Sequence, residues 1–280
     1  MIRFAIFIIS ITCALQGRPF VTAHLNGQLG NQMYQIAVAT AVALDNDMDV
    51  MFPELKTRTE FDIHKNYEHV LSRVCADEYP EPMETVYTEP KHYFVPIPVK
   101  PNMQLKGFFQ SYKYFDHHRE TLLALYAPSL EIEQHLLETF PKLFIQPCSV
   151  AVHVRTYNKE DPRHRNFATC PPSYFKEAMS RFPKNAVFYV FSDDIFWCKK
   201  HFAKFPYKIE YIQGNSHWID FYLISACKHQ IISNSTFSWW AAYLNDNPKK
   251  IVVAPKKWFA KFRDYDNRDI VPDSWIALDN

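Results

Sequence analysis

Glycine is scarce in this chain, with five glycines among 280 residues. Each is therefore expected where the backbone needs a conformation that other residues rarely adopt. Two of the five, Gly27 and Gly30, fall in the short segment Gly-Gln-Leu-Gly-Asn-Gln. Such a turn would let backbone amides approach a phosphate or a sugar closely, although a tight turn without a ligand fits this short pattern as well.

An excess of charge of one sign is also missing. The chain has 31 basic and 30 acidic residues and a formal net charge of +1. Nothing in this balance points to nucleic acid or to an acidic membrane surface, so an anionic ligand must be held by a local cluster. The chain contains no internal repeat and no low-complexity tract. Its 48% hydrophobic content is enough for two cored domains of about 100 to 150 residues each.

Zinc-type spacing of cysteine and histidine is absent as well. The 12 histidines are scattered and no Cys-x-x-Cys pair occurs, so we predict no metal site. Cys13 lies in the N-terminal segment, which leaves an odd number of cysteines after it. Two disulfides and one spare thiol would fit an oxidising compartment, and the pairing stays open.

The N-terminal segment is apolar over residues 4–15 and follows Arg3. That length suits the hydrophobic region of a signal peptide and is short for a membrane span of about 20 residues. We expect residues 1–17 to be a signal-anchor or a cleaved signal peptide, either of which directs the rest of the chain into the secretory pathway. A buried N-terminal strand is the weaker alternative.

The chain up to residue 148 opens with a strand, the glycine turn and an Ala-rich buried helix, which together indicate a nucleotide-binding type of fold. Predicted strands span residues 20–25, 48–52 and 104–110, and predicted helices span 32–44, 112–126 and 129–140. Residues 57–101 are polar and Pro-rich and carry no clear pattern. We place a domain boundary at Pro147 and Cys148, giving domains of residues 18–148 and 149–280.

The second domain alternates strands and helices more cleanly. Predicted strands span 150–155, 186–191, 209–212, 230–232 and 251–254, and predicted helices span 173–182, 195–202, 219–227 and 237–244. This alternation predicts an α/β fold with a mostly parallel, doubly wound sheet. In such sheets ligands bind outside the carboxyl ends of the strands.

The strand at residues 150–155 reads Val-Ala-Val-His-Val-Arg. Its period of two places His153 and Arg155 on the same face at the carboxyl end. A planar, permanently charged guanidinium suits a phosphate, so Arg155 is a candidate partner for a pyrophosphate leaving group. An edge strand whose polar residues simply face water is the alternative.

Two further strand ends carry polar residues. Asp193 and Asp194 follow one strand, and Ser235 and Thr236 follow another at the start of a helix, where amides and the helix dipole favour an anion. Each could instead be an ordinary helix cap. Their predicted convergence with Arg155 at one sheet edge favours a binding site. Asn234-Ser-Thr also matches a glycosylation sequon, which we interpret as a chance match because a glycan would fill the crevice.

Four motifs resemble those of the α-1,2-fucosyltransferases of glycosyltransferase family 11. They are GQLGNQMYQ from Gly27, His153-Val-Arg155, FSDDIFWC from Phe191, and CKHQIISNSTFSWWAAYL from Cys227. They occur in the family's order and cover most of the chain after residue 20, and the last block is long and specific.

The resemblance implies a GT-B-like arrangement of two facing Rossmann-type domains. It also implies inverting, metal-independent transfer of fucose from GDP-fucose, without another cofactor, to the 2-hydroxyl of a terminal galactose on a glycan. The implied location is the Golgi lumen, as a single-pass type II membrane protein, or secretion if the N-terminal segment is cleaved.

Residue by residue, the resemblance assigns the β-phosphate to Arg155, which would neutralise the charge on departing GDP. His153 and Asp193 would help to hold the nucleotide, Ser235, Thr236 and the Phe237 amide would meet the pyrophosphate, and Asn31 would reach the donor from the other domain. Trp239 and Trp240 are expected to pack beneath the loop.

One stretch departs from the family's pattern. After His-x-Arg the family continues with a second Arg and then Gly-Asp-Tyr, whereas this chain has Thr156, Tyr157, Asn158 and Lys159. A phosphate contact is thereby lost, and Asn158 cannot act as a general base where the family has Asp. The base is left unassigned. A catalytically silent member that binds nucleotide or glycan, and transfer to another hydroxyl or to protein, remain as alternatives.

Overall fold

The computed structural model of the chain describes residues 17–157, 160–161, 164–260 and 266–280. Two compact units form. The first contains the described residues up to Pro128 together with Arg268–Ile270, and the second contains those from Ser129 to Asn267 together with Val271–Asn280. The units divide earlier than the predicted boundary at residue 148, because the helix Leu130–Thr139 contacts the helix His217–Ala226 of the second unit.

The first unit is built on a four-stranded parallel sheet with the order β2-β1-β4-β3. The strands are β1 (Phe20–Ala23), β2 (Asp49–Val50), β3 (Thr85–Thr88) and β4 (Met103–Lys106), and the helices are α1 (Leu29–Asp45), α2 (Glu54–Thr57), α3 (Ile63–His69) and α4 (Arg119–Leu125). The chain runs from β1 to β2 on one side, crosses to β3 at the far edge and then forms β4 between β3 and β1, so the direction of progress changes between β1 and β4.

Helix α1 is the central helix of the first unit. Its residues are apolar nearly all the way round, and almost every side chain from Leu29 to Ala43 is buried. The helix begins at Leu29, earlier than the predicted residue 32, so Gly30 and Asn31 lie in its first turn. Of the two motif glycines, Gly27 has a left-handed backbone with φ of 78°.

The second unit contains a six-stranded parallel sheet with the order β10-β9-β8-β5-β6-β7. The strands are β5 (Ser149–Val154), β6 (Val187–Ser192), β7 (Lys208–Tyr211), β8 (His229–Ile231), β9 (Val252–Pro255) and β10 (Ile276–Leu278), and the helices are α5 (Leu130–Thr139), α6 (Pro141–Ile145), α7 (Pro172–Met179), α8 (Ile195–Phe202), α9 (His217–Ala226) and α10 (Thr236–Leu244). From β5 the chain moves outward through β6 and β7, then returns to β8 on the other side. The strand order therefore reverses between β5 and β8, and that is where open α/β sheets bind ligands.

Two expectations about local structure were wrong. The predicted helix 112–126 is instead two short 3-10 turns, Tyr112–Tyr114 and Asp116–His118, followed by α4. Phe115 interrupts them with φ of −141°, and its fully buried ring lies 5.8 Å from that of Tyr34 on α1. Strand β10 forms in what the sequence indicated was a polar tail, since backbone pairing with β9 is sufficient to order it.

The core of the second unit encloses the aromatic pair that the sequence assigns to packing. Trp239 and Trp240 are fully buried, which confirms that assignment. Cys148, Cys170, Cys198 and Cys227 are buried free thiols in this unit.

Across the described residues, no helix combines the length and apolar character that a bilayer span requires. The segment predicted to provide one lies in residues 1–16, outside the described chain.

Candidate active site

The candidate site lies at the carboxyl ends of β5, β6 and β8. The register pairs His153 with Phe191 and Val154 with Ser192, while Val152 pairs with Ile231 on the other side. The residues that follow these strands therefore emerge together, as predicted from the sequence. Arg155, Asp193 and the segment from Ser233 to Phe237 meet at the point where the strand order reverses.

His153 is the next-to-last residue of β5 and is 8% exposed. Its Nδ1 lies 3.2 Å from Oγ of Ser233, and its ring contacts that of Phe237 at 5.6 Å. The pKa of His153 is lowered to about 4. Burial is the main cause, the carboxylate of Asp193 opposes the shift, and the charge of Arg155 adds to it. At neutral pH the imidazole is therefore uncharged and can offer a ligand a hydrogen bond without positive charge.

Arg155 supplies the positive charge at this strand end. Its Nη1 lies 3.2 Å from Oδ2 of Asp193, and its side chain keeps 37% of its surface exposed. The other carboxylate oxygen of Asp193 accepts hydrogen bonds from the backbone N–H of Thr156 at 3.1 Å and from the Thr156 hydroxyl at 3.3 Å. Asp193 thus orients the guanidinium and anchors the loop that carries it.

Tyr157 is the residue at this site whose role the sequence did not reveal. It has φ of 49°, in the left-handed region. Its hydroxyl donates to the carbonyl of Asn234 at 2.6 Å, and its ring stacks on Phe167 at 4.7 Å with an angle of 2° between the planes. Arg155 lies 5.6 Å above the same ring, within cation–π range. The sequence signal that could have revealed it is that Tyr157 stands where the resembled pattern has glycine. Glycine often marks a left-handed backbone position.

The segment between β8 and α10 forms the other wall. Asn234 is fully buried, and its amide donates to the carbonyls of Ala168 and Trp258, each at 2.8 Å. A glycan cannot be attached to this side chain in the folded protein, so the sequon is a chance match as predicted. Ser235 is the N-cap of α10, and Thr236 and Phe237 form its first turn, where backbone amides face the strand ends.

The two aspartates after β6 have different partners. Asp194 caps α8 by accepting a hydrogen bond from the backbone N–H of Trp197 at 2.8 Å. Asp193 instead contacts Arg155 and Thr156 as described above. The alternative that a strand-end acid is a simple helix cap therefore holds for Asp194, while Asp193 belongs to the site. Asn158 and Lys159 lie outside the described residues.

Asn31 lies in the first unit, in the first turn of α1. Its Oδ1 accepts a hydrogen bond from the amide of Gln110 at 2.9 Å, which joins the first turn of α1 to the loop that follows β4. A Cβ atom at Gly27 would come within 2.4 Å of the Asn31 amide nitrogen, so the glycine leaves the room that Asn31 occupies. Asn31 therefore has a fixed position at the switch point of its own sheet.

Residues 4–279 of the chain match the family model described as glycosyl transferase family 11. The chain belongs to this family. Two relatives from Escherichia coli are an alpha-1,2-colitosyltransferase, 28% identical over 92% of this chain and 99% of its own length, and the O-antigen biosynthesis glycosyltransferase WbnK, 28% identical over 91% and 99%. Human galactoside alpha-(1,2)-fucosyltransferase 1 is 26% identical over 80% of this chain and 65% of its own length. This family 11 protein is thus a glycosyltransferase, as the sequence predicts.

Solved structures show the same fold. Fucosyltransferase NodZ from Bradyrhizobium matches with a TM-score of 0.55 and 14% identity over 80% of this chain and 92% of its own. NodZ alpha-1,6-fucosyltransferase soaked with GDP-fucose matches with a TM-score of 0.52 and 13% identity over 81% and 92%. At this identity the likeness concerns the fold alone, and it confirms the predicted GT-B-like α/β class.

Proposed function

We propose that this family 11 glycosyltransferase moves L-fucose from GDP-fucose to the 2-hydroxyl of a terminal galactose on a glycan, with inversion at the sugar carbon. The observation that carries this proposal is the joint placement of Arg155, Asp193 and the first turn of α10 at one switch point. A cation held by a carboxylate beside helix N-terminal amides suits the diphosphate of a nucleotide sugar.

In the proposed reaction, the bond between the sugar carbon and the β-phosphate oxygen breaks as the acceptor oxygen bonds to that carbon. Negative charge builds on departing GDP, and the acceptor hydroxyl loses its proton. Arg155 neutralises the charge on the leaving group, and the amides of Thr236 and Phe237 share in binding the pyrophosphate. His153 contributes an uncharged hydrogen bond. The base that receives the proton is unassigned.

Asp193 would act here by holding Arg155 in position. Its Oδ1 accepts hydrogen bonds from the backbone N–H and hydroxyl of Thr156 and, at 3.5 Å, from the Ser192 hydroxyl, while its Oδ2 contacts Arg155. Each carboxylate oxygen accepts about two hydrogen bonds, so Oδ2 has capacity for one more, from a ribose hydroxyl or a guanine N–H. Thr156 lacks the charge of the family's second arginine and instead hydrogen-bonds Asp193. Arg155 is therefore the arginine that neutralises the charge on the departing GDP.

The proposed transfer uses no metal or other cofactor in its chemical step, since Arg155 supplies the fixed positive charge that a divalent ion supplies in other enzymes.

We further propose that residues 1–17 place the enzyme in the Golgi lumen as a single-pass type II membrane protein, or lead to secretion if cleaved. The apolar run at residues 4–15 after Arg3 supports this. Retention in membranes after carbonate washing would support the anchor, and recovery from the medium with an N-terminus near residue 17 would contradict it.

The test of function is incubation of the purified chain with GDP-fucose and a β-galactoside, followed by linkage analysis of the product by NMR. An α-1,2-linked product confirms the proposal. A different linkage would show transfer to another hydroxyl. Stabilisation of the fold by GDP without any product would identify a silent, nucleotide-binding member. Because a relative is named for colitose, the corresponding colitosyl donor belongs in the same experiment.

A further inference from the structure

Three side chains that bind metals in other proteins converge in the first unit, at the opposite end of α1 from Asn31. Asp45 is the last residue of α1, and His117 and His118 belong to the 3-10 turn Asp116–His118. Nε2 of His118 lies 2.7 Å from Oδ1 of Asp45, and Nε2 of His117 lies 3.0 Å from Oδ2. One ligand atom from each residue falls within 4.8 Å of the other two.

Both sides of this cluster are fixed by the core of the unit. Helix α1 is buried along nearly its whole length, which sets the position of Asp45 at its end. Phe115, directly before the turn, is fully buried against Tyr34 of the same helix. The imidazole rings of His117 and His118 lie 4.3 Å apart between centroids. The ligand atoms are therefore brought together by packing that does not depend on an ion.

The donor set decides which ions fit. Two imidazole nitrogens and one carboxylate oxygen suit a divalent transition metal, whereas magnesium and calcium prefer oxygen ligands alone. Around Zn²⁺, with bonds of about 2.0 to 2.2 Å, neighbouring ligand atoms lie about 3.3 Å apart. The histidine-to-carboxylate distances of 2.7 and 3.0 Å need small outward movements to reach this. Side-chain exposures of 45%, 50% and 24% for Asp45, His117 and His118 leave room for water as a fourth ligand.

We propose that Asp45, His117 and His118 bind one divalent transition metal ion of the zinc class, joining the end of α1 to the turn that precedes α4. The ion would stabilise the first unit by binding its folded form and would take no part in transfer. This differs from the expectation of no metal site, which rested on spacing along the sequence. His117 is separated from Asp45 by 72 positions, so no sequence motif reveals the cluster.

The test uses the full chain without a histidine tag, stripped of metal by chelation and desalted. Zn²⁺ is titrated by calorimetry, and thermal unfolding is followed with and without the ion. We expect one Zn²⁺ per chain and a melting temperature higher by about 5 °C at zinc concentrations near 100 times Kd. Mg²⁺ at the same concentration should have no such effect. Co²⁺ in place of Zn²⁺ should give visible absorption bands that report nitrogen and oxygen ligation.

Three variants locate the ion. Asp45→Asn, His117→Gln and His118→Gln should each weaken Zn²⁺ binding at least tenfold, while His135→Gln, at an exposed histidine on α5, should leave it unchanged. Asp45→Asn keeps the size of the side chain, so it guards against misfolding, and melting without metal checks each variant. Absence of binding to the folded wild-type chain would show that the imidazoles merely hydrogen-bond Asp45. Equal affinity in all three variants would place the ion elsewhere, and either result overturns the proposal.

Discussion

At the switch point of the second sheet, the side chains are an arginine, a carboxylate and a buried imidazole. At that of the first sheet, between β1 and β4, they are carboxamides. There the Gln35 amide donates to the carbonyl of Gly107 at 2.9 Å, the Gln32 amide donates to that of Gly27 at 2.7 Å, and Gln110 donates to Asn31. Charged groups at this edge are engaged within it: Glu54 accepts hydrogen bonds from Arg58 and the Leu25 amide, and Glu89 accepts from the amides of Phe108 and Phe109. The first sheet therefore has a carboxamide edge whose carboxylates are satisfied internally, and the second has an ionic edge with a partly exposed cation.

The difference shows what each edge can do. Carboxamides satisfy backbone groups of the loops around them, so the carboxamide edge holds the Gly27 turn in one shape. The ionic edge has a guanidinium with 37% of its side chain exposed, held by Asp193 from one side. A diphosphate can approach that guanidinium directly. Changes at the ionic edge should therefore affect chemistry, and changes at the carboxamide edge should affect stability.

The largest effect is expected from Arg155→Ala. Removing the charge that meets the leaving group should reduce turnover at least about 100-fold, because that charge stabilises the transition state. Steady-state GDP release measures it. Arg181→Ala is the matched control, since Arg181 pairs with Glu177 on the protein surface at 3.2 Å. Near-normal turnover in a folded Arg155→Ala chain would remove the arginine from its assigned role.

Acid should have the next largest effect, through His153. The pKa of His153 is about 4 in the folded state against an ordinary 6.5, so the unfolded chain binds a proton first as pH falls. The free energy of unfolding is unaffected by His153 protonation above pH 6.5. It falls as pH drops from 6.5 to 4, by about 1.4 kcal/mol for each unit of pKa shift and about 3 kcal/mol in total.

Urea unfolding at pH 7 and pH 4.5 measures this loss. The wild-type chain should lose more stability between the two values than His153→Asn does. His135→Asn, at an exposed histidine, should behave like the wild type. An identical pH dependence in the wild type and His153→Asn would show that His153 is not held in its neutral form.

The carboxamide edge is tested by Gly27→Ala. The substitution forces alanine to φ of 78° and brings its Cβ within 2.4 Å of the Asn31 amide. We expect a loss of about 2 kcal/mol in the free energy of unfolding. Gly214→Ala has a similar φ of 85° with nothing within 4 Å of the new Cβ, so it should cost only the backbone term of about 1 kcal/mol. Equal losses in the two variants would mean that Asn31 does not fill the space beside Gly27.

The smallest effect is expected from Tyr157→Phe. The ring and its stack on Phe167 remain, and the hydrogen bond to the carbonyl of Asn234 is lost. Stability should fall by about 1 kcal/mol, and the GDP affinity should fall with it because the loop carrying Arg155 loosens. Tyr157→Leu also loses the ring beneath Arg155 and should have the larger effect on GDP affinity. GDP binding as strong as that of the wild type in both variants would show that Tyr157 does not hold the loop that carries Arg155.

The ionic edge could largely be predicted from the sequence, because it depends on local patterns. Alternating valines predict β5, and polar residues directly after apolar strands predict a shared edge. The parallel register then brings His153, Arg155 and Asp193 together with little further information. What the pattern could not supply was the partner of Asp193, since the hydrogen bonds from Thr156 depend on how the loop turns after Val154.

The first unit was harder to predict for a physical reason. Strand β3 lies in a Pro-rich stretch and has an alternating half-buried pattern, and it is ordered by pairing with β4. The predicted helix 112–126 failed because the buried position of Phe115, a tertiary contact with Tyr34, outweighs local helical preference. The cluster of Asp45 with His117 and His118 follows from that same contact and could not be found without the fold.

The most direct test of the diphosphate site is the affinity of GDP for the wild-type and Arg155→Ala chains, measured by calorimetry at one fixed ionic strength. A charge-assisted hydrogen bond contributes about 1.5 to 3 kcal/mol, so we expect binding about 10- to 100-fold weaker in the variant, with Arg181→Ala unchanged. Undiminished GDP binding by a folded Arg155→Ala chain would contradict the assignment of the diphosphate to the ionic edge of the second sheet.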